Sequence, residues 1–311
     1  MSTIFFIHFM YVFLFCLGAI VGSFLLVVIL RSEQEEEIVK TPSHCPYCGK
    51  KLVWYELVPI LSFIVLKGKC KNCQHKIPFM YPAIEIVTGL LFMLVFWKFN
   101  TSPLFHIALT YIPSFDAMLA WLTLFLWLFY VSILLLISIY DFRNFVVLDK
   151  FLYIALLVGF VGELSLFLIG KYSALYTKSI VPFGLSFRQF LGGYELLINP
   201  WFTGIWDNLL GMIIAWGVIQ LIVTLSKGRA MGNGDPIIAA FIGLILGMAG
   251  SIVFLLLSFI IGGIYSVILL LLKKKTIKQH IAFGPILAVS AMLIFLFGHQ
   301  IVASYINLLI R

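Results

Sequence analysis

The apolar residues of this 311-residue chain lie in long blocks, several of them 18 or more residues with few charges. A helix of about 20 apolar residues is long enough to cross a hydrocarbon core of roughly 30 Å. The chain is 62% hydrophobic and only 11% charged, whereas soluble domains carry about 25% charged residues. The blocks therefore predict an all-α, polytopic transmembrane protein.

About eight spans are predicted. They cover residues 4–30, 81–99, 117–140, 150–170, 208–226, 235–250, 252–272 and 282–309. The first is predicted to be a retained span, because it lacks a basic leader region and its apolar run is too long for a signal peptide. The apolar stretch 57–66 is too short to span and contains Pro59, so it is predicted to be an interfacial or buried part of a loop. The aromatic-rich stretch 171–207 is assigned no chemistry.

The basic residues give the predicted orientation. Sixteen of the 21 lysines and arginines fall in four short segments between spans, at residues 31–76, 143–150, 227–229 and 273–278. The positive-inside rule makes their side cytoplasmic and leaves both termini outside. Because these charges flank spans and form no continuous basic face, the expected partner is the lipid bilayer, and nucleic-acid binding is not expected. The predicted organisation is a first span (1–30), a cytoplasmic loop (31–80) and a polytopic membrane domain (81–311).

Four of the five cysteines form two C-x2-C pairs, Cys45/Cys48 and Cys70/Cys73, with 21 residues between the pairs. Two such pairs can offer four thiolates to one tetrahedral zinc ion, and a closed four-thiolate shell is structural rather than catalytic. The alternative is two disulfides, which need an oxidising compartment and conflict with a cytoplasmic loop. The loop is therefore predicted to bind structural zinc.

Acidic residues near spans are the candidates for chemistry, since a carboxylate in hydrocarbon is costly. Asp141 ends a long apolar run, Asp149 precedes the next span, and Asp235 follows Gly232 and Gly234. The predicted topology places the three aspartates on the cytoplasmic side at similar depth. The two glycines allow close backbone approach and unusual dihedral angles at the start of a helix.

Asp141 and Asp235 are the predicted catalytic pair. Two carboxyls at short range share a proton, so that one can deprotonate water while the other polarises a peptide carbonyl. The simpler alternative is that each is a helix-end residue in contact with water, and Asp235 and Asp149 could be N-caps. Glu85, about a turn inside the second span, could support the start of its helix or pair with a basic residue of the loop.

Several motifs together resemble the type IV prepilin peptidases, the aspartic membrane proteases with a Gly-x-Gly-Asp motif. They are Gly18 to Leu25 in the first span, the two cysteine pairs, Tyr81-Pro82 with Glu85, Asp141 with Asp149, Gly232 to Asp235, and Phe283-Gly284-Pro285. The resemblance covers nearly the whole chain.

The resemblance implies catalytic roles for Asp141 and Asp235 and a supporting role for Asp149. It implies a bacterial inner-membrane enzyme that removes the leader peptide of prepilins or pseudopilins. The cysteine-bearing loop implies a second activity, N-methylation of the new amino terminus with S-adenosylmethionine as the methyl donor. No glycine-rich nucleotide loop is visible, so no residue is assigned to S-adenosylmethionine.

Two other functions account for part of the sequence but fit it less well than the peptidase. A transporter or channel could use membrane carboxylates as a proton or cation relay, but it does not account for the four-cysteine loop. A zinc protease is disfavoured because the chain lacks a His-Glu-x-x-His motif and the metal site has no open position.

Overall fold

The computed structural model describes residues 3–38, 42–101, 115–177, 205–229, 231–273 and 281–309. Within these ranges the regular secondary structure is helical, and the only β-type pairings are two isolated bridges, His44 with Lys51 and Lys69 with Lys76. The predicted all-α class is confirmed. The chain forms two compact units, Met1–Phe99 and Asn100–Arg311. Residues 178–204 of the 171–207 stretch lie outside the described ranges.

Eight helices are named in chain order. They are α1 (Thr3–Glu33), α2 (Leu61–Val65), α3 (Met80–Asn100), α4 (Phe115–Asn144), α5 (Asp149–Thr177), α6 (Ile205–Ser226), α7 (Asp235–Leu271) and α8 (Gly284–Leu309). Six of them, α1 and α3 to α7, contain described segments long and apolar enough to cross a membrane. The stretch 57–66 contains only the five-residue helix α2, in agreement with the prediction that it is not a span.

In the first unit, small residues let α1 and α3 approach closely. A Cβ added to Gly18 would lie 2.8 Å from the Gly89 Cα, and one added to Gly22 would lie 2.7 Å from the Thr88 hydroxyl. Gly18 and Gly22 are one helical turn apart and form a Gly-x-x-x-Gly motif, which is typical of close helix pairs in membranes. This contact fixes α3, and with it Glu85, against the first span.

In the second unit, α7 is interrupted at Gly247, where φ is +70° and ψ is −177°. Asp235, at the start of α7, interacts electrostatically with Asp141, whose carboxylate bonds to Gly284. A Cβ added to Gly262, later in α7, would lie 3.0 Å from the ring of Phe283 and 3.7 Å from the side chain of Ile286, close to Gly284 in the chain. A straight helix would separate residues 235 and 262 by about 40 Å, so the two segments of α7 must fold back toward each other at Gly247.

The interruption explains why the sixth and seventh predicted spans lie within one helix. The predicted break was at residue 251, but Ser251 is helical and its hydroxyl donates a hydrogen bond to the Gly247 carbonyl at 2.7 Å. The helix α6 packs tightly on the turn, because a Cβ at Gly211 would overlap the backbone of Gly243 and Gly247. The second unit is therefore a helical bundle with a sharp reversal in its centre.

Candidate functional site

Asp141 lies near the end of α4 and is buried, with 5% of its surface exposed. Its Oδ2 accepts a hydrogen bond of 2.9 Å from the backbone N–H of Gly284, the first residue of α8. A Cβ at position 284 would lie 2.7 Å from the same oxygen. Glycine thus allows the positive N-terminal end of α8 to contact the carboxylate directly.

Asp235 is the first residue of α7 and is also buried, at 4% exposure. Its Oδ2 accepts the backbone N–H of Gly232 at 2.9 Å, so the Gly232–Asp235 turn holds the carboxyl group in place. The carboxyls of Asp235 and Asp141 are close enough for electrostatic interaction. The two aspartates predicted to form a pair therefore lie within electrostatic range of each other in the second unit.

Gly234 has an ordinary helical conformation, with φ −83° and ψ −24°. Its lack of a side chain matters for space, since a Cβ there would lie 2.5 Å from a methyl group of Val147. Val147 belongs to the short connection between α4 and α5, in which Phe145 has φ +54° and its N–H bonds to the Asp141 carbonyl at 2.9 Å. This connection therefore links the end of α4 to the turn that carries Asp235.

Asp149 has a different environment from the buried pair. It begins α5 and is exposed, and its side chain makes no hydrogen bond or ion pair with the residues that the structure describes. Its supporting role stays a prediction. Sequence reasoning did not place Gly284 or Val147 in the site, although the Gly-Pro pair at the start of a predicted span was a local signal for a close approach at position 284.

The four predicted metal ligands come together in the first unit. The sulfur atoms of Cys45, Cys48, Cys70 and Cys73 all lie within 4.8 Å of one another. The Cys45 and Cys73 sulfurs are 3.9 Å apart, close to the roughly 3.8 Å edge of a tetrahedron with zinc–sulfur bonds of about 2.3 Å. No disulfide joins any of these cysteines. The group can therefore hold one metal ion with a closed set of thiolate ligands.

The two cysteine pairs have the same backbone fold. In each, the residue directly after the second cysteine donates its N–H to the carbonyl of the first cysteine. The donors are Gly49 (to Cys45, 2.9 Å) and Gln74 (to Cys70, 3.0 Å). Both donors have a positive φ, +68° and +57°. Glycine adopts this conformation without strain, whereas Gln74 does so at some cost. The repeated turn directs two sulfur atoms from each pair to one point.

The thiols differ in acidity before any metal binds. Backbone hydrogen bonds from Cys73 and Asn72 lower the pKa of Cys70 to about 7. A backbone hydrogen bond from His75 lowers the pKa of Cys73, but burial and the neighbouring thiols outweigh it and raise this pKa to about 11. A bound cation would replace the protons that these crowded sulfur atoms otherwise share.

Comparison with known proteins gives the family. Residues 16–99 match the bacterial peptidase A24 N-terminal domain, and residues 128–267 match the type IV leader peptidase family. The chain belongs to the type IV leader peptidase family. The resemblance predicted from the sequence motifs is therefore confirmed, and the second match contains both Asp141 and Asp235.

Two curated relatives of this leader peptidase match nearly its whole length, and a third matches a shorter part. It is 28% identical over 297 residues to the prepilin leader peptidase/N-methyltransferase of Bacillus subtilis (strain 168), covering 95% of this chain and 97% of that protein. It is 27% identical over 326 residues to the protein of the same name from Aeromonas salmonicida (strain A449), covering 97% and 94%. A Myxococcus xanthus protein of that name is 47% identical over 89 residues, covering 29% and 27%. No solved structure matches the chain.

Glu85 of this family member connects α3 to the four-cysteine loop. It is buried, and its Oε2 accepts the N–H of Ile60 at 2.7 Å together with a hydrogen bond from Ser23. Ile60 has φ +63° and ψ −52°, and the Leu61 N–H bonds to the Pro59 carbonyl at 2.5 Å. This is a γ-turn with positive φ, a strained form that costs a β-branched residue about 1–3 kcal/mol. Glu85 therefore accepts a hydrogen bond from the backbone of the loop. The two roles expected from the sequence were different: an ion pair with a basic loop residue, or support for the start of its own helix.

A second group of buried polar residues lies away from the aspartate pair. Glu163 on α5 accepts hydrogen bonds from the Tyr130 hydroxyl at 3.3 Å and from the Asn208 side chain at 2.9 Å. The adjacent Asp207 accepts the N–H of Met248, just after the break in α7, at 3.3 Å. Tyr130 precedes Asp141 by 11 residues on α4, which is about 16 Å along the helix. These contacts support the reversal of α7 and are remote from the candidate active site.

Proposed function

We propose that this protein removes the leader peptide of prepilins or pseudopilins with Asp141 and Asp235 as its catalytic pair, and then methylates the new amino terminus. The central observation is that two buried carboxyls from different helices interact, each held by a backbone N–H. Family membership supports cleavage and N-methylation, and the curated relatives are named for both activities. The transporter alternative is not favoured.

The proposed hydrolysis uses one carboxylate and one carboxylic acid. The carboxylate takes a proton from a water molecule, whose oxygen bonds to the carbon of the scissile carbonyl. The acid gives its proton to the carbonyl oxygen, and the tetrahedral intermediate then loses the amine, which takes a proton as the C–N bond breaks. Since the backbone bonds engage Oδ2 of both Asp141 and Asp235, Oδ1 of each group remains for water and substrate.

Four residues would hold zinc in the loop, namely Cys45, Cys48, Cys70 and Cys73. A zinc ion with four thiolates has no open position for substrate, so the metal supplies cross-linking of the loop rather than catalysis. S-adenosylmethionine would supply the methyl group of the second step.

The proposed location is the inner, cytoplasmic membrane of a bacterium, with the loop 31–80 in the cytoplasm. The support is the concentration of lysine and arginine in this loop and in the other segments assigned to the same side. A prepilin whose apolar helix lies in the bilayer would place its cleavage site at this interface, at the depth where a span such as α4 ends. Water reaches that depth directly.

The test is cleavage of a prepilin in membranes by Asp141→Asn and Asp235→Asn variants. Both are expected to lose cleavage at unchanged protein level, because an amide can neither take nor supply the shared proton. Glu163→Gln, a buried carboxyl remote from the pair, is the control and should retain cleavage. If either asparagine variant still cleaves, that residue does not belong to the catalytic pair. Ion flux in liposomes without peptide cleavage would instead favour a transporter.

A further inference from the structure

An exposed apolar surface lies on the four-cysteine loop, beside the start of α3. The side chains of Leu61, Ile64 and Val65 on α2 are 60%, 63% and 76% exposed, and Phe79 is 70% exposed. We call these four residues the loop's apolar face. Adjacent apolar side chains with this exposure are unfavourable in water and indicate contact with a partner or a membrane.

Hydrogen bonding fixes the depth of this face relative to α3. The 21 residues of α3 are about 32 Å long, which matches the thickness of the hydrocarbon core, so Met80 lies near its boundary. Glu85 is five residues further along and is bonded to the backbone of Ile60, the residue immediately before α2. The face therefore begins within about two helical turns of the point where α3 enters the membrane.

A ring contact gives the same position independently. Phe63, in the centre of α2, packs edge-to-face against Phe79 with their ring centroids 6.3 Å apart. Phe79 directly precedes the first residue of α3. Since Phe79 adjoins the membrane span α3, this contact holds α2 beside the point where α3 enters the bilayer.

The charges around the face suit an anionic surface. Between residues 45 and 76, the range that contains all four cysteines, the loop has six lysines and one glutamate and so a formal charge of +5. Four thiolates around one Zn²⁺ would contribute −4 + 2 = −2 and leave about +3. Lys67 and Lys69 directly follow α2 and are exposed. Lysines next to an apolar surface at this depth can reach lipid phosphates while the apolar side chains lie below them.

We propose that the loop's apolar face inserts into the headgroup region of an anionic bilayer, with the neighbouring lysines bound to lipid phosphates. The four-cysteine loop is then a module held at the membrane surface by Glu85 on one side and by lipid on the other. Peptide substrates are a competing occupant of an apolar face, but the depth and the positive charge favour lipid. The proposal depends on the membrane span α3 and not on the catalytic roles of the aspartates.

The test is photo-cross-linking of the full-length protein in vesicles. Benzoylphenylalanine replaces Ile64, or Val65 if that variant does not fold, and the matched control has it at Gln74, an exposed polar residue of the same loop. Vesicles contain either phosphatidylcholine alone or phosphatidylcholine with phosphatidylglycerol. Zinc content, compared with the unsubstituted protein, verifies that the loop is folded. Lipid adducts are measured by mass spectrometry.

The expected result is strong lipid labelling from position 64, little from position 74, and an increase when phosphatidylglycerol is present. Replacing Lys67 by Gln should reduce this increase by up to about fivefold, since each lysine at an anionic surface strengthens binding by roughly that factor. Equal labelling at positions 64 and 74, or no effect of phosphatidylglycerol, would overturn the proposal. Adducts to an added prepilin in place of lipid would also overturn it and would identify a peptide-binding face.

Discussion

Replacing Gly284 by alanine should weaken the activity of the candidate active site without unfolding the protein. The Gly284 N–H donates a 2.9 Å hydrogen bond to Oδ2 of Asp141, and the new methyl group would lie only 2.7 Å from that oxygen. Carbon and oxygen atoms do not pack this closely, so the carboxylate must move away from the start of α8. The first turn of a helix accepts alanine readily, and the substitution should cost little stability in itself.

The size of the effect follows from the lost hydrogen bond. A hydrogen bond to a charged group contributes about 1.5–3 kcal/mol, which corresponds to about 10- to 150-fold in kcat/KM if the bond is needed in the transition state. The assay is the rate of prepilin cleavage by purified protein in detergent, at substrate concentrations well below KM. Asp141→Asn sets the baseline of an inactive site, and Gly284→Ala should lie between this variant and the unsubstituted protein.

Gly263→Ala is the matched control, because a Cβ at position 263 has no atom within 4 Å. It makes the same chemical change in the same bundle and should leave cleavage unaltered. If Gly284→Ala cleaves prepilin as fast as Gly263→Ala, then the contact between α8 and Asp141 has no catalytic importance. If Gly284→Ala lowers the melting temperature by more than a few degrees relative to Gly263→Ala, the loss of activity cannot be assigned to the carboxylate alone.

Three further experiments test the rest of the structure. Gly247→Ala should lower the melting temperature in detergent, because φ is +70° there and a Cβ would overlap a buried carboxylate, whereas Gly217→Ala, with no atom within 4 Å, should not. The unsubstituted protein should contain about one zinc per chain, and metal analysis of Cys45→Ser with Cys48→Ser should find none; zinc-free unsubstituted protein, freshly reduced, would contradict the metal site. Glu85→Ala should make the four-cysteine loop more sensitive to limited proteolysis. If an added protease digests the loop of this variant no faster than that of the unsubstituted protein, the strained turn at Ile60 does not need the Glu85 carboxylate.

The features that follow from local sequence were predictable. Apolar blocks define spans because the bilayer sets both their length and their composition. The two C-x2-C pairs predict a metal site because each pair fixes its own geometry, and the structure needs only to bring the pairs together. The meeting of Asp141 and Asp235 was predictable from topology, since helix ends on the same side of a membrane share a depth.

The features that depend on tertiary contacts were not predictable. The contact between Gly284 and Asp141 joins residues 143 positions apart, and no periodicity in the chain specifies it. The break at Gly247 lies in an apolar run that also contains Gly243 and Gly250. Composition alone therefore does not indicate at which glycine the helix is interrupted. The role of Glu85 depends on a strained backbone at Ile60, a residue type that does not itself favour a turn.

The way the two aspartates are held bears directly on their chemistry. Among the described residues, each is bonded by a backbone N–H and neither forms an ion pair with a lysine or arginine. In the proposed mechanism, a cation beside the pair would favour two ionised carboxylates and leave no shared proton to give to a substrate carbonyl. Backbone dipoles fix the position of both groups and carry no net charge, so one proton can remain between them. Placing a lysine beside the pair should therefore reduce cleavage even if both aspartates stay in place.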